Sequence, residues 1–300
     1  MNKLLASILA LLVLALPRLA RADLQVVATV PSLAAIAKEV GGAQVKVESL
    51  ALPTQDPHFV DAKPSLALSL SKADLLIAVG LQLETGWLPT LQVGSRNVKI
   101  MLGASGYLEA SQFVTLLEPA QNVDRSSGDV HPGGNPHFWY DPRAVAPLAR
   151  GISAKMVALD PGNKAAYEKN LAAFLEKLET QRKAWEPRLA KRKGTPVIGY
   201  HRSWAYLAQW VGLEQVAVLE PKPGIPPNPG HVAQVLAIAK QRGVKMILQE
   251  SYYPDATAKL VAEKVGASVL MIPSGPDVRS GQGYFAWMDG IVAMVEKGGP

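Results

Sequence analysis

Short apolar runs and amphipathic segments alternate along this chain in two successive blocks. Residues 24–30 form a β-branched run, Pro31-Ser32 opens a helix-like segment over 33–40, and residues 45–52 are a second apolar run closed by Pro53. That is a strand-helix-strand unit. Another helix-like segment runs from Pro64 to residue 73. Asp74-Leu75-Leu76-Ile77-Ala78-Val79-Gly80 then reads as a strand apolar on both faces and closed by glycine. Residues 98–101 make a weaker strand, and residues 103–136 form a long connection rich in glycine, aspartate and serine, of a length that usually carries function.

A helix is predicted over 143–159. Beyond Asp160-Pro161, apolar residues at Tyr167, Leu171, Phe174, Leu178, Trp185 and Leu189 recur at helical steps among lysines and glutamates. This is one amphipathic helix to about Glu186, with Pro187 bending or ending it, and it would be ~40 Å long. The alternation then restarts, with strands at 196–200, 215–219, 244–250 and 267–272 and helices at 203–210, 232–242, 255–265 and 284–296. The pattern predicts an α/β protein of two lobes, each a mainly parallel sheet flanked by helices with its own core, joined by one long linking helix and facing a shared cleft. The boundaries are a signal peptide over 1–22, an N-terminal lobe over 23–159, the linking helix over 160–190 and a C-terminal lobe over 191–300.

The leader changes the picture of where this protein works. Lys3, the apolar stretch 4–16 and Leu19-Ala20-Arg21-Ala22 are the parts of a secretory signal, with cleavage expected before Asp23. The stretch is shorter than the roughly 20 residues a bilayer span needs. The sequence contains no cysteine, so no disulfide framework and no N-terminal lipid on cysteine is expected. The expected localisation is periplasmic without a lipid anchor. The formal charge of +6 includes Lys3, Arg18 and Arg21 of the leader, which has no acid, so the remainder carries +3. So small and scattered a charge argues against nucleic-acid binding.

The candidate chemistry is carried by histidine. His137 is boxed in Gly134-Asn135-Pro136-His137-Phe138-Trp139-Tyr140-Asp141-Pro142, where two prolines hold the backbone out of helix and three rings exclude water. His58 lies in the polar loop after the second strand, and His201 directly follows the strand at 196–200. Facing α/β lobes present such strand ends to one cleft, so the three residues can converge. Neutral imidazole is the commonest transition-metal ligand, and Asp277 after the last strand can supply an oxygen, giving a tetrahedral zinc set. Spacing alone leaves this evenly matched with unrelated histidines satisfied by the core. Ser69-Leu70-Ser71-Lys72 is read as helix surface, and His231 as a helix-start residue.

These residues, with the strand ending at Gly80, the Asp56-Pro57-His58 loop, the helix from Asp160-Pro161 and Glu220-Pro221-Lys222-Pro223-Gly224, resemble the zinc and manganese solute-binding proteins of bacterial ABC importers over the whole mature chain. The resemblance implies that His58, His137 and His201 are metal ligands and that the metal is Zn2+ rather than Mn2+, because histidine occupies the third position. It implies Asp277 as fourth ligand, with Glu250 or water as competitors. It also implies an ABC permease in the inner membrane as partner of a monomer, and leaves open whether a periplasmic metallochaperone loads it; the helix across the junction restricts hinge motion, so release of metal by small lobe shifts is expected. The histidine-rich loop of many zinc-binding relatives is absent, and His131 stands there alone, either solvated or assisting metal capture. An enzyme is not expected: a secreted zinc hydrolase would need a general base beside the metal, and no His-Glu-x-x-His pattern is present.

Overall fold

The computed structural model describes residues 23–119 and 131–298. The signal peptide over 1–22 and part of the connection at 103–136 lie outside the described residues. The first lobe contains β1 (Leu24–Ala28), α1 (Pro31–Gly41), β2 (Val45–Ser49), α2 (Pro64–Ser71), β3 (Leu75–Ala78), α3 (Leu88–Ser95) and β4 (Tyr107–Glu109). Then come α4 (Pro142–Leu159) and α5 (Lys164–Leu189). The second lobe follows with β5 (Pro196–Gly199), α6 (Ala205–Val211), β6 (Glu214–Val218), α7 (Pro229–Arg242), β7 (Met246–Glu250), α8 (Ala256–Val265), β8 (Ser268–Ile272) and α9 (Tyr284–Lys297).

The two sheets have the same topology. Their orders are β2-β1-β3-β4 and β6-β5-β7-β8, parallel throughout. Parallel strands need crossover connections, and these cover the sheet faces, which is why β3 and β7 are buried at every position. In each lobe all strand carboxyl ends point the same way, so the loops after β2, β5 and β7 gather at the ligand-binding edge of an open α/β sheet.

The structure departs from the sequence reading at several points. Residues 98–100 form a 3-10 turn, not a strand, and the fourth strand is Tyr107–Glu109. Asn97 explains the first change: its side chain accepts from Lys99 N at 3.2 Å and donates to Leu70 O and Ala73 O at 2.8 and 2.7 Å, offering the backbone an alternative to a ladder. The linking helix begins at Lys164 after a 3-10 turn, with the Asp160 carboxylate accepting from Tyr167 Oη (2.8 Å) and Asn163 Nδ2 (2.7 Å). Pro187 lies inside the helix, which ends two residues later.

The lobes do not have wholly separate cores. One cluster joins the inner faces of both sheets, running from Val26 and Ile77 through Trp139, Tyr140, Ile152 and Trp185 to Met246, Leu248 and Met288. Each sheet keeps a smaller cluster of its own on the outer face, one around Leu76 and Trp87 and the other around Ile247 and Val261. The reason is α5, which packs on α4 and α1 on one side and α9 on the other. Its Trp185 is fully buried, meets Trp210 edge-on at 6.1 Å and donates through Nε1 to Asp289; Phe174 packs on Phe285 at 5.2 Å. Further bonds cross between the lobes, including Ser274 Oγ to Pro53 O at 3.0 Å and Tyr284 Oη to Trp139 O at 3.2 Å.

Because Trp185 fills the joint, Trp185→Ala should lower the unfolding free energy by about 3–5 kcal/mol, as buried aromatic truncations do. A urea titration checks this: the midpoint falls while the slope stays near that of the parent.

Candidate metal site

The site is built from three loops. His58 lies beyond β2, in a loop held by Gln55 Oε1 accepting from Leu52 N at 3.0 Å and by Trp87 Nε1 donating to Pro57 O at 2.9 Å. His201 follows β5 at once. A Cβ at Gly199 would stand 2.7 Å from His201 O and 2.9 Å from the Trp204 ring, so only glycine lets the chain turn this tightly. His137 is set by the 3-10 turn Phe138–Tyr140, whose three rings are buried, and by Asp141, which caps α4 by accepting from Arg143 N at 2.8 Å. Pro142 then occupies the first helical turn.

The three imidazoles meet. Their ring centroids stand 5.4 Å (His58–His137), 5.1 Å (His58–His201) and 5.5 Å (His137–His201) apart, and one ligand atom from each lies within 4.8 Å of the other two. All three are buried, at 7 %, 2 % and 3 % exposure for His58, His137 and His201. Among the described residues this is the group of metal-ligating side chains that converges.

Each ring is oriented from behind. His58 Nδ1 is 2.7 Å from Asp56 Oδ1, His137 Nδ1 is 2.9 Å from Asn135 Oδ1, and His201 Nδ1 is 2.6 Å from Glu220 Oε2. All three partners are oxygens that accept, so each Nδ1 carries the proton and each Nε2 is left with a lone pair. Asn135 is itself fixed, donating through Nδ2 to Glu118 Oε2 at 3.0 Å and to Arg202 O at 2.7 Å, which ties the His137 loop to the His201 loop. His137 Nε2 is buried with no hydrogen-bond partner among the described residues. A donor set of converging imidazole nitrogens, one of them without a partner, with carboxylates and an amide behind them fits a transition-metal ion.

The electrostatics agree with a neutral ring at His137. Burial, then the neighbouring His58, His201 and His131, holds the pKa of His137 well below its usual 6.5. Burial works to raise Asp56, but its hydrogen bonds and charge interaction with His58, and the charge of His201, leave it below the ordinary value.

The other sequence candidates fall as follows. Asp277, expected as the fourth ligand, does not join the cluster: it is exposed in the turn after β8, where its Oδ1 accepts from Arg279 N and Ser280 N at 3.2 and 3.3 Å. An aspartate behind proline in a glycine-rich loop builds a turn with its own backbone, which explains the difference. Glu250 is buried at the end of β7, within electrostatic reach of Asp56 and Glu220. Neither of its oxygens completes a well-formed hydrogen bond among the described residues. His131 is half-buried and reaches the cluster, with its Nε2 3.2 Å from His58 Nε2. His231 sits in the first turn of α7, and Ser69 and Lys72 lie on and just beyond α2. The partners Asn135 and Glu220 belonged to sequence motifs without an assigned role. The signal was present in their placement, Asn135 two residues before a ligand and Glu220 directly after β6.

A two-lobed α/β protein with a long helix at the joint and a buried imidazole cluster in the cleft has the architecture of the metal solute-binding proteins. The chain belongs to the ZnuA family: "Zinc-uptake complex component A periplasmic" matches residues 26–298. It is 26% identical over 299 residues to the zinc-binding lipoprotein AdcA of Streptococcus pneumoniae (strain ATCC BAA-255 / R6), which covers 95% of this chain and 58% of AdcA, so the chain spans little more than half of that relative. It is 26% identical over 253 residues to the high-affinity zinc uptake system protein ZnuA of Bacillus subtilis (83% of this chain, 77% of that protein). It is 25% identical over 286 residues to the manganese ABC transporter substrate-binding lipoprotein PsaA of Streptococcus pneumoniae (92% and 88%). A crystal structure of ZnuA has the same fold, with TM-score 0.76, 24% identity, and coverage of 92% of this chain and 99% of that one. Family and neighbours are substrate-binding proteins and not enzymes.

Burial pushes the Glu250 acid up from the ordinary 4.5 to about 8, with Ser203 compensating only in part and Asp56 and Glu220 adding to the rise. Between those values the folded protein holds a proton that the unfolded chain has lost, so stability falls as pH rises through this window. Glu250→Gln should therefore stabilise the metal-free protein by on the order of a few kcal/mol at pH 8 and by little at pH 4.5. Thermal unfolding of both proteins across that pH range measures the difference.

Proposed function

We propose that this protein binds zinc, in preference to manganese, on His58, His137 and His201 and delivers it to the permease of an ABC importer. The observation that carries the reading is the set of three acceptor oxygens, on Asp56, Asn135 and Glu220, behind three Nδ1 atoms whose Nε2 partners converge. Imidazole nitrogen suits zinc, whereas manganese favours carboxylate and water oxygens. The names of the relatives include both zinc and manganese proteins, so the choice of metal rests on the donors of this chain.

The domain reading is a leader over 1–22, an N-terminal lobe over 23–159, a linking helix over 160–190 and a C-terminal lobe over 191–300. The apolar leader and the lack of cysteine support an exported, periplasmic protein without a lipid anchor. A monomer docking both lobes on its permease, loaded by a metallochaperone, completes the reading. The shared core across α5 supports metal exchange by small loop and lobe shifts rather than wide opening.

Native mass spectrometry of metal-free protein with zinc and manganese in competition tests this. One zinc per chain is expected, lost in His201→Ala and weakened about 10- to 100-fold in Glu220→Gln, since the outer partner fixes the ring. Preferential manganese uptake, or zinc retained in His201→Ala, would refute the assignment.

A further inference from the structure

We infer that His131 is the fourth metal ligand, so that the ion is held by four imidazole nitrogens and by no carboxylate. The inference rests on the metal-carrier reading and specifies its coordination. His131 Nε2 stands 3.2 Å from His58 Nε2. His58 Nδ1 faces a carboxylate oxygen of Asp56, and His131 Nδ1 faces the carbonyl oxygen of Leu81 at 2.7 Å. Both acceptors lack a proton to give, so both rings carry theirs on Nδ1, and two neutral rings then oppose lone pair to lone pair at Nε2. That contact is repulsive unless a cation lies between them. Two nitrogens bound tetrahedrally to zinc at about 2.0–2.1 Å stand about 3.4 Å apart, close to the separation found.

The backbone facing His131 is strained to make this contact. Gly80, Leu81 and Gln82 all have positive φ, at 86°, 54° and 67°, and for the latter two this is a conformation that L residues adopt at a cost. The buried Glu84 holds the turn by accepting from Val79 N (2.7 Å), Gly80 N (3.2 Å) and Thr29 Oγ1 (2.7 Å). It is this turn that presents the Leu81 carbonyl to His131 Nδ1. As behind the other three rings, an acceptor oxygen faces Nδ1, and Nε2 faces His58 of the cluster.

Position gives the residue a distinct role among the four. A cleft of about 450 Å³ is lined by His58, Phe59, Gln82 and His131, while His137 and His201 lie deeper. His131 therefore closes the site on its solvent side. Asp277, whose carboxylate is engaged in its own turn, leaves that position to it. With no anionic oxygen among the ligands, the site favours zinc over manganese more strongly than a three-histidine, one-carboxylate set would.

X-ray absorption of the zinc-loaded mature protein, together with competition titrations of His131→Ala, His131→Asp and Asp277→Ala, tests the inference. Four imidazoles are expected in the parent and three in His131→Ala, with zinc affinity lower by at least about 10- to 100-fold, the loss that even an outer partner's removal brings. His131→Asp should move the metal preference towards manganese, and Asp277→Ala should bind zinc like the parent. A three-imidazole parent spectrum, unchanged affinity in His131→Ala, or loss of zinc in Asp277→Ala would overturn the inference while leaving the carrier reading intact. A parent that binds no stoichiometric zinc would overturn both.

Discussion

The proton on each histidine Nδ1 is the constraint on which the site depends. Asp56, Asn135 and Glu220 can only accept at those positions, so the tautomer of each ring is decided before any ion arrives. Without these partners the rings would be free to turn and to present N–H to the centre, and convergence would have no chemical meaning. Their cost is burial of polar groups, and the structure meets it by making each acceptor part of a wider network. Asn135 spans to Arg202 and Glu118, and Glu220 also accepts from Gly224 N at 3.3 Å.

Holding three rings from different loops to a common point requires that the loops share a rigid base. The common core supplies it. Phe138, Trp139 and Tyr140 lie directly after His137 and are buried in the same cluster as Trp204, three residues after His201. Tyr140 and Trp204 pack in a tilted arrangement at 4.9 Å between centroids, and Tyr140 meets Trp287 of α9 at 5.4 Å. The aromatic box therefore couples the His137 and His201 loops of different lobes through packing, a role beyond the exclusion of water. In this member of the ZnuA family the imidazole cluster therefore lies where the lobes are least able to separate.

Acid groups surround the rings without touching their ligand atoms. Asp56 and Glu220 lie behind His58 and His201, and Glu250 lies near both acids with its own proton retained by burial. A cation entering the cluster would meet a negative surround, and Glu250 is the group in that surround whose charge is least settled by hydrogen bonds. The strained turn at Gly80 to Gln82, held by Glu84, is the corresponding device on the cleft side.

By itself the sequence determined the class of fold and singled out His58, His137 and His201, the three histidines that the structure brings together. Periodicity separates strand from helix well where segments are long, and β3, α5 and the second lobe were legible for that reason. His58, His137 and His201 stood out because each lies in a polar loop marked by proline or by a strand end. The three-residue strand Tyr107–Glu109 was not legible, since so short a segment has no period and its pairing with β3 is a long-range fact. Nor was the shared core, because an amphipathic helix does not say how many partners its apolar face meets. Which further side chain comes up to the three histidines was decided only by tertiary structure. The sequence pointed to Asp277 and left His131 as a solvated or metal-capturing residue; that His131 reaches His58 depends on a turn at Leu81, fifty residues away, whose carbonyl fixes the ring.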